Sequence, residues 1–331
     1  MTAPAIRPGR DDDAAGFIAL VDACWSEYPG CVMDLDGEVP ELRALATYYS
    51  GQRGALWAAE RDGRIVGMIG TRPLAAGAWE ICKVYVARDE RGSALGHGLL
   101  DAAEAHARRE GATRLELWTD TRFDRAHRFY EKRSYVRAGP IRVLDDLSRS
   151  LEFHYAKPLG PIVVERLDAA GAASAERRLA DILIACVGAG DSVSFLPPLD
   201  PARARAFWRG VSAGVATGGR VLLVAWADGV LAGTVQLDTD TPQDQPHRAE
   251  LRMLLVDPAR RRRGIGRALM AAAEAAAREA GRSLLTLGAS GGDAAEPFCR
   301  RLSWQEAGRV PGGVRNAAGV LRDALVFLKS V

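Results

Sequence analysis

Arg261, Gly264 and Gly266 stand in the stretch Val256-Asp257-Pro258-Ala259-Arg260-Arg261-Arg262-Arg263-Gly264-Ile265-Gly266, whose chemistry is that of a phosphate cradle. The apolar run Leu254-Leu255-Val256 precedes it and an alanine-rich amphipathic stretch ending at Gly281 follows, so the order reads strand, loop, helix. Loop glycines let the backbone approach a ligand closely. They also leave N–H groups pointing outward at a helix start, where the dipole favours negative charge. The dinucleotide fingerprint needs a third glycine where Leu269 stands, and a P-loop needs Gly-Lys-Ser/Thr; the stretch meets neither requirement.

The elements that position this loop occur twice. Val86 to Leu100 superposes on Val256 to Met270 with a shift of 170 residues, and the same shift carries Glu80 to Glu250, Arg91 to Arg261, Gly96 to Gly266, Glu104 to Glu274 and Gly111 to Gly281. Ala94 takes the place of Gly264, where its methyl group is expected to crowd a phosphate or to close off a left-handed backbone conformation. Upstream, Asp62-Gly63 and Asp228-Gly229 each mark a hairpin turn between apolar strands.

Arg261-x-x-Gly264-x-Gly266 resembles the acetyl-CoA pyrophosphate loop of the GNAT superfamily of N-acetyltransferases. Ala126-His127-Arg128-Phe129-Tyr130-Glu131-Lys132-Arg133-Ser134-Tyr135 resembles its Ala-x-x-Phe-Tyr-x-x-x-Gly-Phe signature, with Ser134 in place of glycine. Two tandem units of an α/β (α+β) class are implied, residues 1–159 and 160–331, each a mixed, mostly antiparallel sheet flanked by helices. The resemblance implies acetyl-CoA as cofactor and direct attack by the primary amine of a small molecule. Cofactor contacts are expected at Val84, Tyr85, Val86, Arg91, Gly92, Ser93, Ala94, Leu95 and Gly96. In the second half they are expected at Leu254, Leu255, Val256, Arg261, Arg262, Arg263, Gly264, Ile265, Gly266 and Arg267. Asp191 to Leu199 and Asp244 to Glu250 resemble the branch containing the tabtoxin resistance acetyltransferase, which suggests an amino-acid-like acceptor for that half.

The resemblance assigns Tyr130 to the departing thiolate of CoA, where an O–H donor offsets the developing charge. It assigns Glu80, and Glu250 in the second half, to the amine proton. Strand alternation places Glu80, Cys82, Val84 and Val86 on one side. Cys299 stands where the second half should carry a tyrosine, so the first half keeps the acid and the second keeps the complete loop. Chemistry is therefore expected in the first half, with catalysis in the second half and a non-catalytic acyl-CoA sensor as rivals. Trp25, Tyr28, Asp34 and Asp36 lie in the connection that roofs the acceptor site in such proteins and are expected to attract a cation. His97, His106 and His127 read as solvated residues on helices, not as metal ligands.

Composition agrees with two ordinary domains: 331 residues, 48% of them apolar. Forty-four basic residues against 42 acidic ones leave no dominant field, so neither nucleic acid nor a membrane surface is an expected partner. Five scattered cysteines without metal-ligand spacing suit a reducing compartment, and no stretch is apolar enough to span a bilayer. The expectation is a cytoplasmic monomer or homodimer with no metal.

Overall fold

The computed structural model describes residues 3–331, which separate into two compact units. One comprises the residues up to Tyr130 with Gly139–Leu159, the other Gly160–Val331 with Glu131–Ala138. The first unit runs β1 (Ala5–Pro8), α1 (Ala14–Trp25), α2 (Leu45–Gly51), β2 (Ala55–Arg61), β3 (Arg64–Pro73), β4 (Ala78–Val86), α3 (Leu95–Arg109), β5 (Arg114–Asp120) and α4 (Asp124–Lys132). It closes with β7 (Arg142–Val143) and β8 (Leu151–Pro158); the two-residue strand β6 (Val136–Arg137) falls in the segment grouped with the second unit. The first sheet is ordered β1-β2-β3-β4-β5-β8, antiparallel except for the pair β4–β5.

The second unit repeats the plan with β9 (Val163–Leu167), α5 (Ala169–Gly188), α6 (Pro201–Ala216), β10 (Arg220–Ala227), β11 (Val230–Asp238), β12 (Arg248–Val256), α7 (Ile265–Glu279), β13 (Leu284–Ser290), α8 (Ala295–Arg301), β14 (Gln305–Arg315) and β15 (Leu321–Ser330). Its sheet is ordered β14-β15-β13-β12-β11-β10-β9, again with one parallel pair, β12–β13. The mixed, mostly antiparallel architecture expected from the sequence is present in both units.

Local chemistry accounts for the turns and for helix placement. Asp62 and Gly63 sit at φ 50° and 77°, and Asp228 and Gly229 at 54° and 78°, the paired left-handed residues that a two-residue hairpin requires. Gly67 on β3 lets α3 settle close, since a Cβ there would lie 2.8 Å from Leu99 Cδ1; at Gly233 on β11 it would lie 3.1 Å from Leu269 Cδ1 of α7. Each helix buries a stripe at helical spacing, Leu95, Leu99, Ala103 and Ala107 in α3 and Ile265, Leu269, Ala273 and Ala277 in α7. The repeated glutamates of these helices meet a lysine from the last strand of their sheet: Lys157 Nζ donates to Glu104 Oε1 at 2.6 Å, and Lys329 Nζ to Glu274 Oε1 at 2.8 Å.

The Asp11–Asp13 run does something other than cap α1. Asp13 is held by Arg7 at 2.7 Å, and the Asp11 carboxylate accepts from the N–H groups of Ala46 and Thr47 at 2.8 and 3.1 Å, capping α2 from a distant part of the chain.

Candidate active site

The cleft of each unit opens where its one parallel pair of strands comes apart. β4 and β5 are registered only from Ala78–Arg114 to Glu80–Glu116, and β12 and β13 only from Arg248–Leu284 to Leu251–Leu287, so the C-terminal halves of both pairs diverge. Such openings at the carboxyl ends of strands are where α/β folds place ligands. Beside each opening lies a one-residue bulge at an equivalent position, Lys83 with φ 53° and Met253 with φ 50°. The ladder shifts there between Met68 and Gly70 in the first sheet and between Thr234 and Gln236 in the second. A bulge leaves a backbone group unpaired, and strain of this kind persists where the surrounding structure holds it.

The bulge corrects the alternation expected along β4. Glu80, Cys82 and Tyr85 pair with Arg72, Gly70 and Met68, and so share one face, while Val86 pairs with Gly67 on the other. A Cβ on Gly96 of α3 would lie 3.9 Å from Val86 Cγ2, which locates that second face on the α3 side. Val84 and Val86 are thereby parted from Glu80, and Tyr85 joins it.

Tyr130, on α4, is 5% exposed and lies near Tyr85 and Cys82. Burial, followed by these two neighbours, pushes its phenol well above the ordinary tyrosine value, so the hydroxyl keeps its proton throughout the physiological range. Trp25 Nε1 donates to Tyr85 Oη at 2.9 Å, Tyr49 Oη contacts Cys82 Sγ at 3.1 Å, and Lys83 pairs with Glu41 at 2.8 Å. Glu80 is joined through Oε2 to Arg72, at 2.7 Å from Nε and 2.6 Å from Nη2, and Arg72 reaches on to Tyr48 Oη and Gln52 Oε1. Arg72, Lys83 and Glu41 were not singled out in the sequence. Their proximity to the cleft follows from the bulge and from how α2 docks.

The acceptor-side expectations divide. Trp25 is brought to Tyr85, and Tyr28 packs against Phe123 with ring centroids 4.6 Å apart. Asp34 accepts from the N–H groups of Asp36 and Gly37, and Asp36, 87% exposed, pairs with Arg43. These two carboxylates hold their own loop together, and the structure does not gather them around Tyr130. His127 is buried, contrary to expectation, with Nε2 2.9 Å from Asp120 O and its ring against Phe153 and Tyr155.

The two phosphate loops differ in conformation and in charge. Gly264 is left-handed at φ 89° and leads into α7, whose first turn has no side-chain cap. Ala94 sits at φ −73°, so the first loop does not take the left-handed turn at this position. Its left-handed residue is Gly92, at φ 82°, and Arg262 has that conformation in the second loop, at φ 65°. Ser93 Oγ accepts the Leu95 N–H at 3.2 Å and donates to Glu90 O at 2.7 Å, which occupies one of the amides a phosphate would need. Arg91 donates from Nε to Val86 O at 2.9 Å and from both terminal nitrogens to Glu27 at 2.7 Å. Arg261 likewise donates to Val256 O, at 3.2 Å, and pairs with Asp191, while Arg263 pairs with Asp228. Arg260, Arg262 and Arg267 have no ion pair among the described residues, and the last two are exposed. The first loop has Gly92 and His97 opposite Arg262 and Arg267. The second loop therefore fits a pyrophosphate with open amides, free cations and a backbone already turned, and the first fits it less well.

The second cleft lacks the hydroxyls of the first. Leu255 and Cys299 take the places of Tyr85 and Tyr130, and burial pushes the Cys299 thiol up to about 11, which leaves it protonated and a poor nucleophile. Glu250 is 37% exposed and paired with Arg252 at 2.9 Å.

The acetyltransferase (GNAT) family matches the sequence at residues 17–135 and again at 193–304. Among solved structures, an acetyltransferase of the GNAT family from Staphylococcus aureus Mu50 is 20% identical over 48% of this chain and 100% of its own, with TM-score 0.43. Salmonella typhimurium yncA, solved with its cofactor acetyl-CoA, is 18% identical over 52% of this chain and 94% of its own, with TM-score 0.42. A ribosomal-protein-alanine N-acetyltransferase from Brucella melitensis is 23% identical over 51% of this chain and 99% of its own, with TM-score 0.42. The two family matches together span more than half of the sequence, and the protein belongs to the acetyltransferase (GNAT) family, as an N-acetyltransferase that uses acetyl-CoA.

Proposed function

We propose that the protein acetylates the primary amine of a small molecule, that residues 1–159 and 160–331 each form one domain, and that the chemistry takes place in the cleft of the first unit. The observation that carries this reading is the contrast between Tyr130, a buried and protonated hydroxyl beside Tyr85, and Cys299 at the equivalent place. Bound acetyl-CoA supplies a thioester that an amine attacks directly, with loss of a thiolate. Tyr130 holds its proton toward the position of that sulfur and stabilises the charge that develops there. Glu80 offers Oε1 for the amine proton, because the Arg72 contacts fall on Oε2. Trp25 and Tyr28 supply apolar walls on the acceptor side. The test is thioester consumption over a panel of small primary amines. Turnover with at least one amine supports the reading, whereas CoA binding without turnover on any of them favours the sensor.

A second reading places the chemistry in the second unit, and the open loop at Gly264 with its free arginines favours it. We expect this loop to be the tighter CoA site. An alanine at position 264 has steric room, because its Cβ would meet only Ile162 Cδ1 at 3.6 Å, but it must hold φ 89°. That conformation costs an L-residue about 1 kcal/mol or more, so Gly264→Ala weakens CoA binding about 5- to 10-fold by calorimetry. Ala94→Gly frees the first loop to take the left-handed turn and tightens its binding. Equal CoA affinity in the parent and both variants would refute the backbone argument.

A further inference from the structure

In each unit the arginine that opens the loop motif is turned toward its own scaffold. Arg91 bridges the last carbonyl of β4, the thiol of Cys24 at 3.3 Å and both oxygens of Glu27. Arg261 bridges the last carbonyl of β12, the thiol of Cys186 at 3.6 Å and the carboxylate of Asp191. The cysteines also approach those same carbonyls, Cys24 Sγ at 3.7 Å from Val86 O and Cys186 Sγ at 3.4 Å from Val256 O. The carboxylates differ in type and in their distance along the chain from the cysteine, yet each meets the same guanidinium. Two unlike sequences have arrived at one arrangement.

We propose that Arg91 and Arg261 are positioning residues for the cofactor loop and not phosphate ligands: each fastens the loop to the end of its cleft strand and to the segment that leads from the unit's first helix toward the acceptor side. The proposal rests on the use of acetyl-CoA and not on which unit performs the chemistry. A guanidinium matched to a carboxylate presents little net charge to a third group, so the attraction for CoA phosphates belongs to unpaired arginines such as Arg262 and Arg267. Labour is thus divided along one arginine run: Arg261 sets the shape of the loop, and its exposed neighbours supply the field. Because Glu27 and Asp191 stand at the start of the acceptor-side segments, the same contacts hold that segment and the cofactor loop in register.

Calorimetry of coenzyme A binding to the full chain across a range of salt concentrations tests this. Asp191→Asn and Arg261→Gln are each expected to weaken binding about tenfold, and the double variant no further, because both break one contact. The slope of log Kd against log salt stays at the parent value in these variants, whereas Arg262→Gln flattens it. Arg261→Lys keeps the charge but loses the planar fork, so it weakens binding as much as the glutamine variant does. Glu27→Gln and Arg91→Gln repeat the pattern in the first unit. The proposal is overturned if Asp191→Asn leaves affinity unchanged or raises it by freeing Arg261. It is equally overturned if Arg261→Gln flattens the salt dependence while Arg261→Lys retains affinity, since Arg261 would then be gripping phosphate.

Discussion

Tyr130→Phe is expected to lower kcat about 100- to 1,000-fold while CoA affinity barely moves. The substitution keeps the ring that packs against Phe129 and Tyr155, at centroid distances of 5.6 and 6.1 Å, and deletes only the hydroxyl. A single preorganised donor at a developing anion is worth about 3 to 4 kcal/mol when water is excluded, and Tyr130 is buried. The phenol remains a hydrogen-bond donor, because burial raises the cost of its ionised form. Steady-state kinetics beside calorimetry separates the outcomes. A fall in kcat and in kcat/KM together marks an interaction made in the transition state. Full turnover in Tyr130→Phe, with turnover abolished by Gly264→Ala or Glu250→Gln, would move the chemistry to the second unit.

Lys157→Met is expected to destabilise the first unit by about 3 to 5 kcal/mol, because it removes the cation that faces the buried Glu104 carboxylate. The pair is 4% and 8% exposed in its side chains, and Lys157 Nζ lies 2.6 Å from Glu104 Oε1. Domains are stable by only about 5 to 15 kcal/mol, so this loss should separate the unfolding of the first unit from that of the second in a denaturant titration. Replacing both partners, Glu104→Leu with Lys157→Met, should recover most of it, since the cost lies in keeping a buried carboxylate without its lysine and not in the absence of the pair. The corresponding Lys329→Met in the second unit is expected to cost less: Lys329 and Glu274 are 23% and 13% exposed, which leaves water to solvate what remains. A double variant as unstable as Lys157→Met alone would show that the site needs charge for another reason.

These pairs show what a sequence repeat can and cannot disclose. The match of Glu104 with Glu274 is plain in the chain, but the lysine partners are not, because they arrive from strands 53 and 55 residues away. The bulges are harder still to read. A single residue inserted opposite β3 or β11 leaves no compositional mark, yet it moves Tyr85 onto the face of Glu80 and removes Val86 from it. Charged residues were the least legible. Asp34, Asp36, Arg91 and Arg261 have the right types for binding, and the folded chain uses each of them to hold its own backbone or another side chain.

By itself the sequence determined the two hairpin turns, the duplicated strand-loop-helix and the contrast of Tyr130 with Cys299. All of these are encoded within a few consecutive residues by periodicity, glycine placement and side-chain type. The tertiary structure decided which face of β4 looks into the cleft, that Ala94 stays right-handed while Ser93 closes the first loop on itself, and which arginines are left free to meet a phosphate. Those outcomes depend on groups brought together from distant parts of the chain, and a long charged side chain pairs with whichever partner packing delivers to it.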